Sequence, residues 1–598
     1  MKKKAKTREM SVRDENTKSK GLAPGWVAAI LLIVALGLTG TGEAITRGQA
    51  VAEIMKALEI PLRTSSGEVI KDIPKGAPYE AAARSAAVYG ILPPGEYYYP
   101  TLEITKLEAI YLAIRAMGWN HVAQTSKKLI AETNGTFSLS SPFVPYVEIA
   151  QRMRPPIPQD LVDQPEENLS AADLSILTQW LRACKQGCAF EKSVDIGFGE
   201  LKVHRHGTGA PPAMWIIKIK EFPIEATQAA QNLKGKLEAM GYDVLITSDD
   251  CALHVAIGPF DSYLKGWRAL SALPQEFRGI LLPHGGPPAG ALFWSALVID
   301  PKVAPSILPA APFGKRRLPI SEIASESGAK AAINGGYFAW DLPIGTLKID
   351  GTLAHHSFGE RNAAGWDEGG KWHFGPGNVK AWLHLGGTAF PIDCFNEPPS
   401  FNGFSIYTPH FGAQALKIPH DAMEGSVREG ILRWKTPSIS SQHYIPGDGF
   451  LIVGRGQARV FLAGMKLGAS AQVATLFGDP AFAETKNIVQ AGPLLIHEGK
   501  PYYRDERFAP TLTEVKHPRT MLGHDGQRVW WIVIDGRDSW HSQGATLEEA
   551  RKLAYSLGLK EALNLDGGGS SALWLDGALV NHPPGGEERP LPYALAIP

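Results

Sequence analysis

Three consecutive glycines, Gly567 to Gly569, come directly after the run Glu561–Asp566, and Ser570 and Ser571 succeed them. Glycine weakens both helix and sheet, so three together at a strand end predict a bare backbone needed for close approach or positive φ. Upstream, "WWIVID" at 530–535 and "EALNLD" at 561–566 read as strands flanking "TLEEARKLAYSLGL". In that helix Thr546 and Glu549 form a capping box, and Leu547, Ala550, Leu553, Ala554 and Leu557 make the buried face. The strand, helix, strand order carries Asp566 to a strand end. There the Gly567, Gly568 and Gly569 amides are expected to converge on an anion as a nest, with Ser570 adding a hydroxyl. A tight connection leading into the Asp576-Gly577 hairpin is the plainer reading of the same residues.

The chain has 598 residues, 44% hydrophobic and 20% charged, enough for about four domains of ordinary size. Sixty basic residues balance sixty acidic ones. No overall field therefore draws the chain to nucleic acid, which is excluded as a partner. Four cysteines cannot make a disulfide framework, and Cys184 and Cys188 are not accompanied by metal-ligand spacing. No metal and no cofactor is expected.

The N-terminus is basic through Lys2, Lys3, Lys4, Lys6, Arg8, Arg13, Lys18 and Lys20, and Trp26 to Leu38 then runs without a charge. Extended to Gly42, the run is near the lower limit of about 17 residues for crossing a bilayer. Residues 1–25 read as a cytoplasmic basic segment and 26–42 as a membrane anchor or a cleavable signal peptide. Either reading exports the chain beyond Ile45, giving a single-pass membrane protein or a secreted, wall-associated one.

Short amphipathic helices separated by Pro and Gly loops occupy residues 45–184. A recurring helix start is visible at Ile45-Thr46-Arg47 and Ile104-Thr105-Lys106, and again from Leu169 to Asp173 without the basic residue. The pattern resembles the S-layer homology repeat, which implies docking on cell-wall polysaccharide; a helical spacer is the alternative. At 212–276, "MWIIKIKEF", an amphipathic helix and "ALHVAIGPF" read as a βαβ-type unit. Its order and the Gly258-Pro259-Phe260 turn resemble the sporulation-related repeat (SPOR) domain. That resemblance implies binding to peptidoglycan glycan, and a plain connector is as good a reading. "HGGPPAG" at 284–290 reads as a linker.

Residues 290–598 read as one large mixed domain with many short strands, so the fold class expected is multidomain α+β: helical-hairpin repeats, a small βαβ module and a large α/β catalytic domain. Seven ordered motifs lie in it: "AAINGGYF" at 331–338, "QAGPLLIHEGK" at 490–500, "HPRTMLG" at 517–523, "VIDGR" at 533–537, "GATLEEA" at 544–550, "LNLDGGGSS" at 563–571, and Asn581 with Arg589. Together they resemble the phosphodiester glycosidase family. The resemblance implies hydrolysis of a sugar-phosphate bond, with a phosphorylated glycan as substrate.

Asp566 and Asp535 are the candidate catalytic carboxyls, since glycoside hydrolysis ordinarily uses two. Arg519 is the candidate for holding phosphate, because a planar guanidinium binds it bidentately. Asn334, Gly335 and Gly336 are expected to meet the sugar, and Arg537, Asn564, Gly567, Gly568, Gly569, Ser570 and Arg589 to complete the binding set. The rival readings are a non-catalytic wall- or exopolysaccharide-binding protein of the same fold, and a hydrolase of another glycan linkage.

Overall fold

The computed structural model describes residues 44–598 apart from 64, 66–69, 131–141, 249–251, 278, 286–289, 311–315, 340, 358, 416–417 and 439–442. The basic segment and the apolar run at 26–42 lie outside the described residues, as does most of the 284–290 tract. Among the described residues no helix is long and apolar enough to cross a membrane. The chain is a multidomain α+β protein.

In the N-terminal part three helices open with reciprocal caps: Arg47–Ala57 behind Thr46 and Gln49, Lys106–Ala116 behind Thr105 and Glu108, and Ala171–Gln186 behind Ser170 and Asp173. Each such cap contributes about 1 kcal/mol by satisfying amides that a helix start leaves open. The three starts close into a ring of backbone bonds. Ile45 N donates to Leu169 O at 2.9 Å, Leu169 N to Ile104 O at 2.7 Å, and Ile104 N to Ile45 O at 3.0 Å. Arg47 is buried on Glu108 at 2.8 Å, and Lys106 donates to the carbonyls of Asp160 and Asp163. Both basic residues of the recurring start therefore serve this internal packing.

The small module has twice the expected content. Strands Met214–Pro223, Val244–Ser248, Ala252–Phe260 and Ile280–His284 form one antiparallel sheet, with helices Thr227–Ala239 and Tyr263–Ala272 completing a βαββαβ order. The fourth strand extends the unit from 276 to His284. Ile217, Val255, Ile257, Ala230 and Leu237 make its core.

The large sheet begins earlier in the sequence than Leu292. Its nine strands run Met153–Arg154, Ala189–Asp195, Gly199–His206, Leu292–Ile299, Val529–Ile534, Arg519–His524, Glu561–Asn564, Leu494–His497 and Lys500–Pro501. The hairpin at 189–206 thus pairs with the strand at 292–299, and the βαββαβ unit is an insertion between two adjacent strands. Alternation in "AFEKSVD" and "GELKVHRH" fits an outer hairpin whose inward side chains, Phe190, Leu201 and Val203, are buried. Behind the sheet, Leu547, Ala550 and Ala554 pack the helix Leu547–Ser556 onto Ile532, Ile534 and Ala562. A five-stranded sheet, ordered Ala578–Leu579, Leu573–Leu575, Ala331–Asn334, Tyr593–Ile597 and Ser306–Pro309, lies beside it.

Candidate active site

Asp566 lies where the two sheets meet. Its strand, Glu561–Asn564, ends against Arg519–His524, and its amide donates across to Gly335 O at 3.3 Å, just past the end of Ala331–Asn334. The Oδ1 of Asp566 accepts from the Gly567 amide at 2.9 Å. Two phenols feel its charge, Tyr337 and Tyr593. Burial chiefly, and then Asp566, pushes both well above the ordinary tyrosine range. Both are therefore neutral hydroxyls beside a carboxylate. Tyr337 Oη donates to Gly492 O at 2.9 Å and accepts from Asn564 Nδ2 at 2.9 Å, while Tyr593 Oη accepts from the Gly336 amide at 2.8 Å. Neither tyrosine is singled out by local sequence, although "GGYF" carries one of them.

The glycines have a different use from the one expected. A Cβ on Gly567 would sit 2.8 Å from Pro518 O, and one on Gly568 3.0 Å from an Arg537 guanidinium nitrogen. One on Gly569 would lie 2.6 Å from Cζ of Arg589. Gly568 also has φ +60, in the left-handed region. The bare backbone admits two guanidiniums instead of forming an amide nest. Three amides of the loop are taken internally: Gly567 N by Asp566, Gly568 N by Pro518 O at 2.9 Å, and Ser570 N by Gly567 O at 3.1 Å. Ser570 Oγ and Asn564 Oδ1 are buried without a hydrogen-bond partner, a cost that a polar ligand or water would relieve.

Four expected site residues are occupied by structure. Arg519 is held by backbone carbonyls: Nε donates to Ala545 O at 2.8 Å, and one terminal nitrogen donates to Leu512 O at 2.7 Å and Val515 O at 2.9 Å. Burial lowers its pKa to about 10. Asn334 has both ends engaged, its amide donating to Gly335 O and Asp566 O and its oxygen accepting from Thr520 Oγ1 and the Ala572 amide. It stitches the two sheets beneath Asp566 instead of meeting a sugar. A Cβ on Gly335 would lie 2.2 Å from the Tyr593 ring, and one on Gly336 2.8 Å from Gln490 O, so these glycines make room for protein.

Asp535 is the clearest correction. It is fully buried and accepts from His541 Nε2 at 2.8 Å, Asn581 Nδ2 at 3.0 Å and the His582 amide at 2.9 Å. Burial outweighs those donors and raises its pKa to about 7. A strand end reads as a loop-facing site from sequence, but here the helical module covers it. His121 of the helix Asn120–Ile130 stacks on His582, ring centroids 3.7 Å apart. Asp566 is left as the carboxylate whose charge reaches both phenols, at the head of the loop on which the two guanidiniums lie.

Residues 424–598 match the family model described as phosphodiester glycosidase, a span that contains Asp566, Arg537, Arg589 and Tyr593. Asn334 and Tyr337 lie outside it. A 118-residue stretch is 36% identical to the SPbeta prophage-derived uncharacterized protein YomE of Bacillus subtilis strain 168, covering 19% of this chain and only 17% of that relative. Among solved structures, a hypothetical protein from Synechocystis is 20% identical at TM-score 0.46, covering 68% of this chain and 80% of its own. The catalytic domain of zebrafish N-acetylglucosamine-1-phosphodiester alpha-N-acetylglucosaminidase, auto-inhibited by its pro-peptide, is 18% identical at TM-score 0.29, covering 52% and 78%. By the family match alone, residues 424–598 carry a phosphodiester glycosidase-type domain.

Proposed function

We propose that this protein hydrolyses a sugar-1-phosphodiester bond in a cell-wall or exopolysaccharide glycan, with Asp566 as the catalytic carboxylate. The observation that carries the reading is the pair of guanidiniums, Arg537 and Arg589, laid against Gly568 and Gly569 beside Asp566. Two guanidiniums at the loop that follows Asp566, the one of Arg589 also paired with Glu221, suit an anionic sugar. A phosphate leaves as a stable anion, so cationic donors replace much of the help that a protonating acid gives an ordinary glycoside. A single carboxylate then serves as nucleophile or as the base for water, and the neutral hydroxyls of Tyr337 and Tyr593 stand near it. Arg519 and Asn334 support the loop from beneath.

The helical module at 45–184 and the βαββαβ unit are, in this proposal, the wall-facing parts, holding the enzyme near polysaccharide or peptidoglycan and raising local substrate concentration. The apolar run at 26–42 is the export signal or anchor.

The test is release of reducing sugar from a panel of sugar-1-phosphodiesters and purified wall polymers by the full chain and by Asp566→Asn. Turnover that disappears in the variant, with fold and ligand binding kept, is the expected result. Full turnover by Asp566→Asn removes the assignment. The internal occupation of Arg519 and the covering of Asp535 favour one second reading, a glycan-binding module of the same fold; binding without release in the unaltered protein would establish it.

A further inference from the structure

We propose that His121, Asp538 and His582 form a binding site for one divalent ion of the zinc type, which staples the helical module to the C-terminal domain. One ligand atom from each of the three lies within 4.8 Å of the other two. The donor set, two imidazoles and a carboxylate, is of borderline softness and suits zinc, leaving a position for water. The three come from separate parts of the chain: a helix start at 121, a turn at 538 and a loop at 582.

The surroundings hold the set ready. Asp538 Oδ1 accepts from the amides of Trp540 at 2.8 Å and His541 at 3.1 Å, which fixes the carboxylate and leaves Oδ2 3.7 Å from His121 Nε2. Such outer bonds are what orient a ligating carboxylate. The His582 amide is tied to Asp535, and the His121 and His582 rings, stacked at 24° with centroids 3.7 Å apart, would swing apart to about 5 Å to present both nitrogens to one tetrahedral ion. His541 lies close by, its ring 5.4 Å from His121 and 5.8 Å from His582. The Nδ1 atoms of both His121 and His541 are buried without a hydrogen-bond partner. Buried nitrogens left open in a histidine cluster are the observation that points to a ligand. Zinc bonds of about 2.0–2.2 Å would draw the ligand atoms together by roughly 1 Å, within reach of side-chain rotation. His121 is 28% exposed at its side chain, which gives an ion a way in.

The full chain is stripped with chelator, exposed to Zn2+, desalted and assayed for metal. One ion per chain is expected to stay, with a higher thermal midpoint than in the stripped protein. Asp538→Asn and His582→Gln should each lose it, whereas a His204→Ala, His206→Ala double variant, which removes a close histidine pair elsewhere in the chain, should retain it. Co2+ bound to the unaltered protein should give visible absorption that Zn2+ displaces, a readout that needs no variant to fold. No retained ion, retention unchanged in both ligand variants, or loss in the His204 and His206 variant would overturn the proposal.

Discussion

Arg589 Nε donates to Glu221 Oε1 at 2.7 Å, joining the loop beside Asp566 to the first strand of the inserted βαββαβ unit. The same guanidinium lies against Gly569. An accessory module thereby sets the position of a cation in the candidate site, and Glu221→Gln should loosen it. A charge-assisted bond of this kind contributes about 1.5–3 kcal/mol, so a loss of about tenfold or more in kcat/KM on a sugar phosphodiester is expected with the fold retained. Steady-state kinetics check it; unchanged kcat/KM would mean Arg589 is held without the module.

The same contact should depend on pH. Burial works against the Glu221 carboxylate, but Arg589, Lys218 and His254 outweigh it and hold its pKa below 4.5. A depressed carboxylate stabilises the fold fully above its unfolded value and loses that contribution as pH falls through the folded one. Hydrogen exchange in residues 214–223 should therefore be steady above about pH 5 and rise below about pH 4.5 more in the unaltered protein than in Glu221→Gln.

Arg519→Lys should act on stability. Lysine reaches one carbonyl where arginine serves Ala545, Leu512 and Val515, and stranded buried carbonyls cost about 1–3 kcal/mol. Urea midpoints measure this; an unshifted midpoint with weakened phosphodiester binding would return Arg519 to the ligand side.

Gly335→Ala should be harmful for a steric reason. The added methyl would lie 2.2 Å from the Tyr593 ring, and overpacking a buried contact costs about 1–3 kcal/mol. Thermal unfolding checks the expectation, and a wild-type midpoint would show that the ring yields freely.

Arg205→Met should detach the helical module from its seat. Arg205 is fully buried, donates to the carbonyls of Gly118, Trp540, His541 and Gly207, and lies 4.1 Å from the Trp119 ring. Leaving those carbonyls unpaired is expected to cost about 3–5 kcal/mol. Limited proteolysis around residue 187 should cut the variant faster; equal rates would show that the module is held elsewhere.

Local chemistry made part of this protein readable from its sequence. Thr46, Thr105, Ser170 and Thr546 cap helices because a hydroxyl, carboxamide or carboxylate oxygen three residues away answers an open amide, an interaction confined to one turn. The recurrence at Ile45, Ile104 and Leu169 announced a threefold unit, and the triglycine announced a close approach. What approaches was decided only by tertiary structure. Arg537 and Arg589 arrive from 31 and 20 residues away in a folded loop and fill the space that sequence reasoning gave to an anion. Asp535 and Asp566 both end apolar strands and look alike in sequence; burial under His121 and His582 separates them. Burial and pairing between distant segments are properties of the packed chain, and no period of 2 or 3.6 residues encodes them.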